Sequence, residues 1–236
     1  MRLERLDLGG DWDYLIILDS CRYDYFARNW NIGKVEAKIS WASCTLEFLE
    51  NMRPIPSSVV ITGHPFITLF KHLFTRVIDA GFDYNLSTCP PRYVTSTFIK
   101  NLRTIKGYKR KILWFLQPHH PFIGETKLDI KIFMDRRGTS LTPAEVVARK
   151  YAEAKKAGIL EKAYEDNLKL VLEELRKILP FMKGRIVITS DHGEGLGSPL
   201  RPQDKPVYGH PCNRSELELR LIPYCVIDSR GNEHRD

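Results

Sequence analysis

Short apolar runs that each end in polar residues set the plan of this chain. Residues 14–18 (YLIIL), 59–62 (VVIT), 111–117 (KILWFLQ) and 185–189 (RIVIT) are too short for core helices and too continuously apolar for half-exposed strands. They predict buried strands of a parallel sheet covered on both faces. A shorter strand is expected at 35–39, and a last one at 219–227, where Pro223 suggests an edge or bulged position. Helical spacing fills the gaps at about 22–30, at Leu46, Leu49 and Met52, from Pro65 to about Val77, and at 94–105. The strongest helical signal joins Leu160, Tyr164, Leu168, Val171, Leu172, Leu175 and Ile178, three or four residues apart, into one apolar face. Ahead of it, Thr142-Pro143-Ala144-Glu145 is a capping box with proline at the first helical position, opening a helix that ends near Gly158. Alternating strands and helices of these lengths predict an α/β fold, with a mostly parallel central sheet and helices on both faces.

In open α/β sheets, ligands bind beyond the carboxyl ends of the strands, and those ends carry the chemistry here. Asp191 and His192 follow the 185–189 run directly, pairing a hard oxygen with an imidazole nitrogen as Zn²⁺ or Mn²⁺ prefers. Asp19 closes the 14–18 run, where a carboxylate serves either as a metal ligand or as a helix cap. His119 and His120 stand between Pro118 and Pro121 after a third run, and His210 follows later in YGHP. Ser40, Ser43 and Thr45 precede a helical pattern. Hydroxyls in that place are N-caps, or nucleophiles facing the positive end of a helix dipole.

Together, LIILDSCRYD, SCTLEF, FLQPHHPF, IVITSDHGEGLG and YGHP resemble the alkaline phosphatase superfamily. The closer likeness is to its sulfatase-like branch of arylsulfatases, phosphodiesterases, phosphopentomutases and lipoteichoic acid synthases. The resemblance implies an alkaline-phosphatase-like sheet and one divalent metal, Mn²⁺ or Zn²⁺, held by Asp19, Thr45, Asp191 and His192. It implies Thr45 as nucleophile, with Ser43 and Cys44 as alternatives, and His119, His120 and His210 as groups contacting substrate. Arg22 and Asp24 would fix the first loop. No Asp-x-x-x-His follows residue 117, so one metal is expected and a second is left open. The implied activity is hydrolysis or transfer of a phosphate ester. The rival readings are a sulfate-ester hydrolase and a degenerate member that binds a polyanion. Cys44 lacks the proline and arginine of the sulfatase maturation motif, standing before Leu46 and Phe48 instead.

Composition narrows the partners. The chain has 236 residues, enough for one domain over 1–236, and its 43% hydrophobic and 28% charged residues are those of a globular protein. No run nears the roughly 18 apolar residues needed to span a bilayer, and charges interrupt the first 13 residues where a secretory signal would be apolar. A cytoplasmic location is expected from this. Five cysteines without a CxxC pair read as reduced thiols. The net charge of +7 suits an anionic small molecule or a glycan or lipid phosphate ester, whereas scattered cations without a recognition motif do not favour nucleic acid. Specificity is expected in the loops 124–141 and 195–207.

Overall fold

Strand burial explains the centre of the sheet. In β2 (Tyr14–Leu18) every residue is buried, and its side chains alternate: Tyr14, Ile16 and Leu18 enter one core, Leu15 and Ile17 the other. The same division holds for β6 (Arg110–Phe115) and β7 (Arg185–Thr189), the parallel neighbours of β2. The computed structural model describes residues 3–128, 130 and 144–228. Among these, the sheet also includes β1 (Glu4–Arg5), β3 (Lys34–Ile39), β4 (Ile55–Thr62), β5 (Phe74–Asp79) and β10 (Leu221–Asp228). The order is β1-β3-β10-β7-β2-β6-β4-β5, parallel except for β10. A separate ribbon pairs β8 (Gly195–Leu196) with β9 (Tyr208–Gly209).

Helices cover both faces, as the alternating strands require. On one face lie α1 (Tyr23–Asn29), α3 (Pro91–Lys100), α5 (Ala144–Lys156) and α6 (Leu160–Ile178), with α4 (Leu102–Ile105) continuing α3 after a break at Asn101. On the other, α2 (Thr45–Glu50) contributes Phe48 and Leu49. The apolar stripe of α6 is buried at all seven positions read from its spacing. A last short helix, α7 (Leu217–Arg220), leads into β10.

Two expectations fail where strand pairing decides the outcome. After Pro65 the chain makes two 3₁₀ turns, Pro65–Thr68 and Lys71–Leu73, and then β5 at the sheet edge, not a helix to Val77. Thr75, Val77 and Ile78 are β-branched and lose side-chain freedom in a helix. Pro223 lies inside the sheet, because β10 runs between β3 and β7. It faces Ala37 of β3 but precedes the β7 register, which starts at the Tyr224–Thr189 pair, so no ladder on that side needs its missing donor. Thr142, Pro143, most of the 124–141 loop and the tail beyond 228 lie outside the described residues.

Candidate metal centre and active site

Parallel order places the carboxyl ends of β7, β2, β6 and β4 side by side, and each delivers a polar side chain to one crevice. Asp19 leaves β2 with its amide on Phe115 O (3.0 Å), and its own carbonyl takes the His119 amide (3.1 Å). Ser20 then adopts a left-handed backbone, φ 62°, a conformation that is costly for a side-chain-bearing residue and that needs support. Support comes from Tyr164, whose hydroxyl donates to Ser20 O (2.7 Å) and accepts from the Arg22 amide (2.9 Å). In this turn the Ser20 amide donates to Asp191 Oδ1 at 3.2 Å. Arg22 is buried and grips Asp24 through two bonds of 2.9 and 2.8 Å, closing the loop. Ser190 Oγ, 2.6 Å from Leu18 O, accepts the Cys21 amide at 2.8 Å and ties the ends of β2 and β7 together.

Four oxygen and nitrogen atoms converge in this crevice. Thr45 Oγ1 donates to Asp191 Oδ2 at 2.9 Å and lies 3.2 Å from His192 Nε2. His192 Nε2 is 3.5 Å from both Asp19 Oδ1 and Asp191 Oδ2. His192 Nδ1 donates to Gly193 O at 2.7 Å, which leaves the Nε2 lone pair pointing at the cluster. Asp19, Asp191 and His192 are buried, with ligand atoms within 4.8 Å of one another. A tetrahedral ion with bonds of about 2.0–2.2 Å separates its ligands by roughly 3.3–3.6 Å, so the donor set fits a divalent cation.

Electrostatics agree with that fit. Burial and the neighbouring Asp19 charge push Asp191 well above the usual carboxylate range. Burial would raise Asp19 too, but His119, His64 and His192 hold it below its ordinary value. His192 is pushed down to about 3 by burial and by His210. A pair of buried carboxylates beside a neutral imidazole is an arrangement that a cation relieves.

A second layer of histidines sits above. His119 and His120 stack with ring centroids 4.1 Å apart, and His210 lies 4.7 Å from both His119 and His192. His119, His120 and His210 form a second group able to hold a metal ion. Glu194, fully buried, accepts from His210 Nδ1 at 3.1 Å and stands 3.4 Å from the Tyr151 hydroxyl, itself 3.0 Å from His120 Nδ1. Burial opposes charge on His210, yet Glu194 raises it to about 9, while burial lowers His119 and, further, His120.

All seven residues expected at the site therefore meet in space. Two further residues of this cluster were not singled out in the sequence. Glu194 stands within the SDHGE run without an assigned role, and His64 ends β4 as the other polar residues end their strands. Of the alternative nucleophiles, Ser43 Oγ is engaged with Glu47, Pro211 O and the Arg214 amide at 3.0 Å each. Cys44 is bonded to Cys212, which corrects the reading of five reduced thiols; Cys21, Cys89 and Cys225 are free and buried. Spacing could not reveal the pair because its members are 168 residues apart and only the fold brings them together. The crevice opens into a cavity of about 610 Å³, lined by Thr45, His119, His120 and His210 and by the apolar Leu46, Phe66, Phe82, Leu116 and Val147 among others.

No protein-family profile matches the chain. No curated protein matches its sequence either. Solved structures do. The integral membrane lipooligosaccharide phosphoethanolamine transferase A of Neisseria meningitidis is 11% identical with a TM-score of 0.60, over 97% of this chain and 50% of that one. The C-terminal periplasmic domain of the phosphoethanolamine transferase EptC of Campylobacter jejuni is 14% identical with a TM-score of 0.54, over 97% and 84%. The lipoteichoic acid synthase LtaP of Listeria monocytogenes is 11% identical with a TM-score of 0.54, over 92% and 65%. The chain spans half the length of the first of these. These likenesses establish a shared fold. They also overturn the cytoplasmic expectation, since C-terminal domains that match 97% of this chain are periplasmic. The disulfide agrees, because such bonds persist in oxidising compartments. No helix among the described residues is long and apolar enough to cross a membrane.

Proposed function

We propose that this chain, which has the fold of the sulfatase-like branch of the alkaline phosphatase superfamily, is an extracytoplasmic, metal-dependent enzyme that transfers or hydrolyses phosphate esters through Thr45. One observation carries the reading: Thr45 Oγ1 reaches Asp191 Oδ2 and His192 Nε2 at 2.9 and 3.2 Å, inside a donor set that also includes Asp19. A divalent ion such as Mn²⁺ or Zn²⁺, held by Asp19, Asp191 and His192, would supply Lewis-acid stabilisation and a lowered pKa for the threonine hydroxyl. The hydroxyl proton already has an acceptor in Asp191 Oδ2. Thr45 attacks phosphorus in line and the leaving alcohol departs; water or a second alcohol then releases the phosphothreonine.

His210, charged through Glu194, donates to a non-bridging oxygen or passes its proton to the leaving group, and His119 and His120 stand on the same side of the crevice. The apolar walls of the cavity favour an ester whose organic part is apolar, and a lipid-linked phosphate ester fits them better than a bare glycan phosphate. Cys44 is held in its disulfide, which counts against maturation to a sulfatase formylglycine.

Calorimetric titration of chelator-stripped protein with Mn²⁺ and Zn²⁺ tests the premise. Saturable binding is expected, with about one equivalent lost when Asp191→Ala and His192→Ala are combined. A wild-type protein that binds neither ion would overturn the reading.

A further inference from the structure

The end of β4 is built more rigidly than a loop residue of no consequence would need. The Thr62 hydroxyl donates to Trp114 O at 2.9 Å and accepts the His64 amide at 3.0 Å. Between them, Gly63 packs so closely that a Cβ there would stand 2.1 Å from Gly81 O and 2.6 Å from Cys89 Sγ. The His64 ring lies 5.5 Å from that of Phe66 and 6.0 Å from that of Trp114, and only 5% of the residue is exposed. Its backbone and its ring plane are both fixed.

The hydrogen bonds then settle which nitrogen does what. The Phe66 amide donates to His64 Nδ1 at 3.2 Å, so Nδ1 is an acceptor and carries no proton. The ring N–H is therefore on Nε2, which lies 3.1 Å from Asp19 Oδ2 and donates to it. Asp19 Oδ1 accepts from Ser20 Oγ at 3.0 Å and is the oxygen that lies 3.5 Å from His192 Nε2. The two oxygens of Asp19 thus differ in role, one anchored to β4 and the other facing the donor cluster.

We propose that His64 is a positioning residue of the metal centre, donating from Nε2 to Asp19 Oδ2 so that Asp19 presents Oδ1 toward Thr45, Asp191 and His192. This rests on the metal-dependent reading above and adds to it the outer partner of one ligand. A carboxylate held at one oxygen loses less rotational freedom on binding an ion, and partners of this kind tune affinity without touching the metal.

The test compares Mn²⁺ and Zn²⁺ affinity, measured by chelator competition, in wild type, His64→Phe and His64→Gln. Phenylalanine keeps the ring and removes the donor; glutamine places an amide N–H near the position of Nε2. The expected result is a loss of about 10- to 100-fold in His64→Phe at unchanged stoichiometry, with His64→Gln within about threefold of wild type. Circular dichroism reports folding, and if His64→Phe does not fold, His64→Leu, which also lacks the donor, takes its place with the same loss expected. Equal affinity in all three proteins would overturn the proposal. So would a large loss in folded His64→Gln, because it would mean that the imidazole itself is needed as a ligand. Failure of the underlying reading looks different: wild type itself would bind no metal.

Discussion

Thr45→Ala is expected to lower the turnover of a phosphate ester substrate by about 10⁴-fold or more, while the protein still folds and still binds metal. The magnitude follows from removing a covalent nucleophile, where losses of about 10⁴ to 10⁶ in kcat are typical and what remains reflects binding and electrostatics alone. Metal affinity should change far less, since Asp19, Asp191 and His192 keep their three ligand atoms together. Thr45 is buried at the first position of α2, and its loss removes one hydrogen bond without exposing a charge. Thr45→Ser, which keeps the oxygen, should retain a large share of the rate. Steady-state kinetics beside calorimetric titration makes the comparison, with intact mass spectrometry after a rapid quench to look for a phosphorylated protein. If Thr45→Ala keeps more than a tenth of the wild-type rate, the nucleophile lies elsewhere.

Glu194→Gln should act through His210, and through pH. In the wild type Glu194 raises His210 to about 9 against the effect of burial. A group with a raised pKa is protonated below that value and loses its proton as pH rises through it. If the imidazolium is the form that meets the phosphoryl oxygen, activity is present below about pH 9 and falls above it. Glutamine keeps the shape but removes the charge, so burial then dominates and the falling limb moves below neutrality. At pH 7.5 the rate should drop by roughly 10²-fold, the usual scale for a misprotonated acid or base. A pH–rate profile from 5.5 to 10 for both proteins decides the matter, and an unmoved alkaline limb would show that Glu194 does not govern the ionisation that matters.

The legible parts of this molecule were those written in local pattern. Continuous apolar runs announced β2, β6 and β7, and with them the strand ends after which Asp19, His119, His120, Asp191 and His192 lie. Spacing alone identified α6. The failures concern features decided at a distance. Thr75, Val77 and Ile78 weaken a helix at 74–79, but only pairing with β4 makes the segment an edge strand. Pro223 marks an edge by local rules, yet it is accommodated inside the sheet because β7 stops pairing one residue earlier. His64 and Glu194 meet their partners, Asp19 and His210, only once the fold has formed, with β4 beside β6 in the sheet. Cys44 and Cys212 look unrelated along the chain for the same reason.

That cysteine pair also changes what it means to cut this protein. The bond joins residues 168 positions apart and turns most of the chain into a covalent ring. Thr45, His64, His119, His120, Asp191, His192 and His210 are all inside the ring; Asp19 alone enters on the N-terminal arm. A protease that clips one loop between 45 and 211 therefore opens the ring without dividing the molecule, and both pieces stay tied beside Thr45 and His210. In a reducing medium the same clip releases two fragments. In an oxidising compartment, where such a bond persists, the link makes a single backbone break survivable.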